Sequence, residues 1–173
     1  SPVNENNLAY QAADLLMKEF HVKEGVKITL DKHIPVAAGM AGGSSNAAAV
    51  LFGINRMFSL GLSQKELMER GVTLGADVPY CIWGGTALSE GIGEKLSRVD
   101  AMPECYILIA KPGISVSTAF VYQNLNLSGL AKHPDIDGMM ATIKNGDLDG
   151  VIERLGNVLE TVTVPDHPEI ARI

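Results

Sequence analysis

A glycine- and serine-rich stretch at residues 39–45, followed by an alanine-rich run, restricts the fold of this chain more than any other feature of its sequence. Glycine lets the backbone adopt positive φ and lets a ligand approach the main chain closely. Ser44 or Ser45 is a suitable N-cap, and the run from Asn46 to Leu51 has strong helix propensity. We therefore predict a loop that leads into a core helix, which begins at about Ser45 and ends near residues 59–61.

Such a junction is a common binding site for phosphate, because the backbone N–H groups and the helix dipole both favour an anion. An ordinary loop-to-helix junction would give the same local pattern and is the alternative for this stretch alone. No Gly-Lys-Ser/Thr follows, which excludes a Walker A loop, and the Gly-x-Gly-x-x-Gly of a dinucleotide site is also missing.

The composition limits the class of function. Of 173 residues, 46% are hydrophobic and 20% are charged, which is typical of one globular domain or two small ones. The net charge of −6 argues against nucleic acid or an anionic membrane as a partner. With no apolar run of the ~18 residues needed to span a bilayer and no signal-peptide pattern, we expect a soluble cytoplasmic protein (plastid if from a plant). We also expect Cys81 and Cys105 to be reduced thiols in the core.

Hydrophobic periodicity predicts an α+β or mixed α/β fold, with a mainly antiparallel sheet, helices on one side and a helical C-terminal portion. Ser63 and Glu66 form a capping-box pattern before a helix that should stop at Gly71. The predicted helices are 5–20, 45 to about 60, 64–70, 118–122, 135–144 and 147–159. The predicted strands are 26–30, 86–90, 94–99 and a buried one at 105–110.

Several motifs occur in an order that is more specific than any one of them. Pro-x3-Gly-Met-Ala-Gly-Gly-Ser-Ser begins at Pro35, Leu-Gly-Ala-Asp-Val-Pro spans 74–79, Gly-Gly-Thr-Ala-Leu-Ser-Glu-Gly-Ile-Gly-Glu spans 84–94, and Lys-Pro-Gly-Ile-Ser-Val-Ser-Thr spans 111–118. This series resembles the GHMP kinase superfamily of galactokinase, homoserine kinase, mevalonate kinase and relatives. Within it, the series is most similar to the branch that acts on a cytidine diphosphate-linked methylerythritol.

The resemblance implies an ATP-dependent kinase that phosphorylates the 2-hydroxyl of that small molecule and uses Mg²⁺. The loop would hold the ATP phosphates, and the Ser45 hydroxyl would lie near the metal ion. The implied ATP-binding residues are Pro35, Val36, Ala37, Ala38, Gly39, Met40, Ala41, Gly42, Gly43, Ser44 and Ser45.

Asp77 falls on the catalytic aspartate of the resembled kinases, where a carboxylate would accept the proton of the substrate hydroxyl. The alternative is that Asp77 caps the local turn or helix, which Asp does well. Ile92, Thr118 and Tyr122 fall where those kinases line the pocket of the cytidine-containing substrate, although such residues are also common in plain packing.

The resemblance also implies a domain division. Residues 1–95 would form the N-terminal ATP-binding portion, similar to ribosomal protein S5 domain 2, without its first strands. Residues 96–173 would form a truncated, ferredoxin-like C-terminal portion. The Lys-x-Asn and Gly-Ser-Gly-Pro motifs of the resembled kinases do not occur, so we expect a central fragment that is inactive or nearly so by itself. A kinase for another alcohol, such as homoserine or mevalonate, and a non-catalytic nucleotide-binding module are the alternatives.

Overall fold

The computed structural model describes residues 2–35, 38–126 and 133–173. The chain divides into two compact units, Ser1–Arg98 and Val99–Ile173. The first unit contains four helices and a hairpin: α1 (Leu8–Glu19), α2 (Gly42–Met57), α3 (Gln64–Leu74), α4 (Val78–Trp83), β1 (Ala87–Glu90) and β2 (Lys95–Arg98). The second contains short helices: α5 (Thr118–Asn124), α6 (Ile136–Lys144), α7 (Leu148–Glu153), α8 (Glu160–Asp166) and a 3-10 turn, Ile170–Arg172. The mixed fold class is confirmed, with a smaller sheet than expected.

The core of the first unit is built on the contact between α1 and α2. Each helix buries residues at i, i+3, i+4 and i+7 spacing, which places them on one face. Small side chains dominate these faces and let the two helices approach closely, while Leu16 and Leu51 fill the centre with no exposed surface. The buried residues are Ala9, Ala12, Ala13 and Leu16 on α1, and Ser44, Ala47, Ala48, Leu51 and Ile54 on α2. Phe52, the next residue after Leu51, is 43% exposed.

Helix α3 begins with the predicted capping box: Glu66 N donates to Ser63 Oγ and Ser63 N donates to Glu66 Oε2. The prediction that it stops at Gly71 is wrong, because it continues to Leu74. Gly71 instead marks a close approach of helix α4. A Cβ at Gly71 would lie 2.8 Å from Val78 Cγ1 and 3.1 Å from Ile82 Cδ1. The glycine thus has a packing role inside the helix.

Replacing Gly71 by Ala is expected to destabilise the protein even though Ala favours a helix. Overpacking a buried contact costs ~1–3 kcal/mol, and Val78 is fully buried and unable to move freely. Gly53, inside α2, has no atom within 4 Å of its Cβ position. Gly53→Ala is therefore the matched control, expected to stabilise by ~0.5–1 kcal/mol. Urea unfolding of both variants checks the pair; a stable Gly71→Ala protein would contradict the packing role.

The predicted strands at 86–90 and 94–99 are confirmed as β1 and β2, which form an antiparallel hairpin with Ala87 opposite Arg98 and Glu90 opposite Lys95. The predicted strands at 26–30 and 105–110 are wrong: neither stretch is assigned as a strand, and the hairpin is the only sheet among the described residues. A strand needs a neighbouring strand for its backbone hydrogen bonds, and neither stretch has one in the described parts of the chain. Tyr106 and Leu108 are fully exposed, so the burial expected there is wrong too.

The helices of the second unit have side-chain N-caps. Ser117, Asp135 and Asp147 accept hydrogen bonds from backbone N–H groups of α5, α6 and α7, respectively. Asp135 and Asp147 thus cap α6 and α7. Cys105 is exposed rather than in the core, and both cysteines are free thiols. No helix among the described residues is long and apolar enough to cross a bilayer.

Candidate active site

Helix α2 begins earlier than the sequence indicated. Its N-cap is Ala41, with φ 48° and ψ 25°, and its first residue is Gly42. The prediction of a start at about Ser45, with Ser44 or Ser45 as N-cap, is therefore wrong. Ser45 lies one turn inside the helix, where its Oγ donates to the Gly42 carbonyl at 3.1 Å. The left-handed turn at Ala41 directs the chain into the helix, and no side chain caps its start.

Three backbone N–H groups are left free by this arrangement. The first helical hydrogen bond of α2 joins Ser45 N to the Ala41 carbonyl at 2.8 Å. The amides of Gly42, Gly43 and Ser44 precede it, and Ala41 has no side chain that could accept from them. Within the described parts of the chain they make no hydrogen bond. Three free amides at the positive end of a 16-residue helix can bind an oxyanion.

Gly42 is required by a close approach that the sequence did not reveal. A Cβ at this position would lie 2.8 Å from Ile34 Cγ2 and 3.1 Å from Lys32 Nζ. The segment before the loop therefore packs against the first residue of α2 and brings an ammonium group to it. Sequence analysis did not select Lys32. The glycine at position 42 was the one sequence feature that indicated a close contact at the start of α2.

The rest of the expected ATP loop is described in part. Pro35 and Gly39 are exposed, Ala38 and Met40 are half-buried, and Gly39 has φ 66° with open space around it. Val36 and Ala37 lie outside the described residues. Residues 38–41 directly precede the free amides of Gly42, Gly43 and Ser44.

The turn that carries Asp77 lies next to this helix start. The Cβ position of Gly75 is 3.9 Å from Ser44 Oγ, and Ser44 is 9% exposed. The chain then turns, with Val78 N donating to the Gly75 carbonyl at 3.1 Å, and α4 follows. Asp77 thus comes two residues after the contact with the first turn of α2.

Asp77 does not act as a side-chain cap. It occupies the N-cap position of α4 but its backbone is helical, and its carboxylate accepts no hydrogen bond from the helix. The residue is exposed. The capping alternative therefore lacks its hydrogen bond, and the carboxylate is available to another partner.

Cys81 lies one turn further along α4, where its N–H donates to the Asp77 carbonyl at 3.1 Å. Burial raises the pKa of the Cys81 thiol, and the negative charge of Asp77 raises it further. A nucleophilic cysteine needs a lowered pKa. Cys81 is thus a partly buried free thiol whose pKa is shifted away from the range of a nucleophile.

The turn between β1 and β2 approaches the same region. Gly93 has φ 121°, and its Cβ position is 3.3 Å from the carbonyl oxygen of Ala76. Glu94 stabilises this turn by accepting from Ile92 N at 2.8 Å. Ile92 is 73% exposed. The structure therefore brings the predicted substrate residue Ile92 to a turn that touches the neighbour of Asp77.

The other two predicted substrate residues, Thr118 and Tyr122, belong to the second unit. Thr118 is the first residue of α5 and Tyr122 lies one turn later, so both are on one side of the helix. Both are exposed, Tyr122 by 62%. An exposed aromatic ring can stack on a base, and this role stays a prediction.

The described residues contain no group of three or more His, Cys, Asp or Glu side chains that could hold a metal ion. The Ser45 hydroxyl fits a different kind of metal site. Its hydrogen is donated to the Gly42 carbonyl, which leaves the oxygen lone pairs free. Mg²⁺ in phosphate-transfer sites takes most of its ligands from phosphates and water. The Ser45 hydroxyl oxygen is therefore available as one ligand from the protein.

Replacing Gly42 by Val is expected to weaken nucleotide binding by about tenfold or more, or ~1.4 kcal/mol, because the new side chain displaces Ile34 and Lys32 from the helix start. Ala49→Val, which changes an exposed residue of the same helix, is the control and should bind normally. Calorimetric titration with ADP measures the difference. Equal affinities of the two variants would contradict a binding site at this position.

Residues 7–85 match the family described as GHMP kinases N terminal domain. The chain is 55% identical over 172 residues to the 4-diphosphocytidyl-2-C-methyl-D-erythritol kinase of Lachnospira eligens, a match that covers 99% of this chain and 60% of that protein. The enzyme of the same name from Lachnoclostridium phytofermentans is 56% identical, with 99% and 59% covered. The one from Listeria monocytogenes serotype 4a is 54% identical, with 99% and 59% covered.

A solved structure is also similar. The crystal structure of a 4-(cytidine 5'-diphospho)-2C-methyl-D-erythritol kinase superposes with a TM-score of 0.76 at 28% identity, covering 99% of this chain and 61% of that one. The chain thus spans about 60% of the length of the curated relatives it matches.

Proposed function

We propose that the protein containing this chain is an ATP-dependent kinase for a small alcohol, because residues 7–85 match the family described as GHMP kinases N terminal domain. The observation that carries the proposal is the row of free amides at Gly42, Gly43 and Ser44 beside the turn of Asp77. The start of α2 supplies hydrogen-bond donors for a phosphate. The turn before α4 supplies a carboxylate that can take the proton of the alcohol that receives the phosphoryl group.

The loop from Pro35 to Ser45 would hold the ATP phosphates. The three free amides donate to phosphate oxygens, and the dipole of α2 adds to the attraction. When bound, Mg²⁺ would neutralise charge on the phosphates, with the Ser45 hydroxyl as the ligand from this chain. The amides are fixed by the helix before ATP arrives, so binding requires little reorganisation of the backbone.

Asp77 would accept the proton of the acceptor hydroxyl. The alcohol oxygen then attacks the γ-phosphorus of ATP, the bond from that phosphorus to the bridging oxygen breaks, and ADP leaves with the bonding electron pair. Such a transfer depends mainly on positioning and on charge stabilisation, and a general base contributes a further ~10²–10⁴-fold. An exposed carboxylate without a capping bond is suited to this role.

The acceptor we propose is 4-diphosphocytidyl-2-C-methyl-D-erythritol, phosphorylated on its 2-hydroxyl as a step in isoprenoid precursor synthesis. Support comes from the names of relatives that are 54–56% identical over 172 residues. The residues that we propose for acceptor binding are Asp77, Ile92, Thr118 and Tyr122, and Tyr122 would stack on the cytosine.

We further propose that residues 1–95 and 96–173 are the N-terminal and C-terminal portions of such a kinase, the latter incomplete. Domain identity of the second portion and a cytoplasmic location stay predictions from the sequence. Because the chain spans about 60% of its relatives, turnover is to be tested on the full-length protein.

The test is a panel of phosphoryl-transfer assays with labelled ATP and three acceptors: the cytidine diphosphate-linked methylerythritol, homoserine and mevalonate. We expect transfer to the first and none to the others. Preferred transfer to homoserine or mevalonate would support a different branch of the superfamily. Binding of ATP without transfer to any acceptor would support a non-catalytic nucleotide-binding module and would overturn the proposal.

A further inference from the structure

The β1–β2 hairpin is attached to the first unit at its two ends rather than along its length. None of the residues in its strands is fully buried, and neither strand packs extensively against a helix in the described part of the chain. Core packing therefore does not determine where the hairpin lies. Individual contacts do so, and two of them lie at opposite ends of α4.

One contact is at the tip of the hairpin. The Cβ position of Gly93 is 3.3 Å from the carbonyl oxygen of Ala76, the residue before Asp77. The turn keeps its shape through a hydrogen bond from Gly93 N to the Glu90 carbonyl at 3.1 Å. Ile92 belongs to this turn, so the placement of the tip determines where Ile92 lies relative to the start of α4.

The other contact is at the base of the hairpin, where Arg98 lies over the indole ring of Trp83. The guanidinium carbon is 5.2 Å from the ring centroid, within the range of about 6 Å for a cation–π contact. Trp83 is the last residue of α4, and Arg98 is the last residue of β2. Arg98 thus joins the end of β2 to the end of α4.

The indole ring has no hydrogen bond to fix its orientation. Its Nε1 is buried and has no hydrogen-bond partner among the described residues, although a buried indole N–H group usually finds one. The guanidinium of Arg98 and the surrounding packing therefore hold the ring. The backbone beneath it is fixed separately, because Gln64 Nε2 donates to the carbonyls of Ile82 and Trp83 at 2.8 and 3.4 Å.

We infer that Arg98 is a positioning residue for the acceptor. Its contact with Trp83 holds the hairpin so that the turn with Ile92 stays beside the start of α4. The inference rests on the proposed function, since it concerns the acceptor side of the same site. Without this contact, the base of β2 is released and the turn can move away from Ala76. The free amides of α2 do not depend on the hairpin, so nucleotide binding should be preserved.

Arg98→Gln in the full-length protein is the central variant. We expect the KM for the acceptor to rise about fivefold, the upper contribution of an exposed cation–π contact, while kcat and ADP affinity stay within about twofold of the parent. Arg98→Lys keeps a cation over the ring and should recover most of the acceptor KM.

Arg70→Gln is the matched control, because Arg70 also lies over an aromatic ring, that of Phe20 at 5.9 Å, but joins α3 to the end of α1. It loses an ion pair with Glu19 as well. This variant should therefore unfold at a lower urea concentration than the parent and keep the parental acceptor KM.

Two further measurements test the contact itself. If Arg98 and Trp83 act as a unit, adding Arg98→Gln to Trp83→Leu should raise the acceptor KM little further. Hydrogen exchange needs no substrate: the Gly93 amide should exchange faster in Arg98→Gln, and the Ser45 amide of α2 should exchange as in the parent.

The outcomes separate this inference from the proposed function. An acceptor KM in Arg98→Gln no higher than in Arg70→Gln would overturn the role of Arg98 and leave the kinase proposal standing. An equal loss of ADP affinity, or no recovery in Arg98→Lys, would assign Arg98 to general stability and would also overturn the role. Unchanged exchange of the Gly93 amide would overturn it whatever the acceptor. A parent protein that transfers no phosphoryl group would overturn the proposed function and the acceptor role together.

Discussion

Replacing Asp77 by Asn is expected to lower turnover of the full-length protein by about 10²–10⁴-fold and to leave ATP affinity nearly unchanged. The amide has the shape of the carboxylate but cannot accept the proton of the acceptor hydroxyl. Asp77 makes no side-chain capping bond, so the substitution removes no stabilising interaction from the start of α4. Steady-state kinetics together with calorimetric titration of ATP separate the two effects.

Asp100→Asn, which changes an exposed aspartate outside the proposed site, is the control for loss of one negative charge. It should retain parental rates. Turnover of Asp77→Asn within a few-fold of the parent would exclude the role of general base. A drop in ATP affinity that matches the drop in rate would instead assign Asp77 to nucleotide binding.

The second large effect is expected in the core beneath the site. Leu51→Ala should destabilise the protein by ~2–5 kcal/mol, because Leu51 is fully buried between α1 and α2 and its removal leaves a cavity. A small domain is stable by only ~5–15 kcal/mol, so the loss is a large share of the total. Urea denaturation followed by circular dichroism measures it.

Phe52→Ala is the matched control, since Phe52 is the next residue of the same helix but is 43% exposed. Replacing Phe52 should lower the free energy of unfolding clearly less than replacing Leu51 does. Equal costs for the two variants would mean that α2 packs on a different face. The positions of Gly42, Gly43 and Ser44 would then differ as well, because they belong to the same helix.

The start of α2 illustrates what local sequence preferences can predict. Glycine, serine and the following alanines predicted a helix and a phosphate loop, and the helix is present. The predicted position of the first helical residue was wrong. The rule for N-caps favours serine, whereas the chain turns through a left-handed conformation at Ala41. A non-glycine residue at positive φ is uncommon, and no local preference predicts it.

The two missing strands show a limit of a different kind. At 26–30, Val26, Ile28 and Leu30 line a groove of about 520 Å³ with residues of α1, but no strand forms there. Strand pairing, however, depends on a partner distant in sequence, which local patterns do not specify. The apolar run at 105–110 has high β propensity, yet Tyr106 and Leu108 remain exposed without such a partner.

The site was predicted in part for a similar reason. Asp77 and the loop were found through motifs, whose order along the chain is visible in the sequence. The contact between Ser44 and Gly75 and the approach of Lys32 to Gly42 join segments that are distant in the chain. Only the packing of α2 against its neighbours brings them together.

The most direct test is a crystal structure of the full-length protein with a non-hydrolysable ATP analogue. We expect phosphate oxygens within about 2.7–3.2 Å, the range of a hydrogen bond, of the amide nitrogens of Gly42, Gly43 and Ser44, with the Asp77 carboxylate facing the terminal phosphate across the space for an alcohol. Phosphates bound away from the start of α2, or an Asp77 carboxylate directed away from them, would contradict the proposed kinase site.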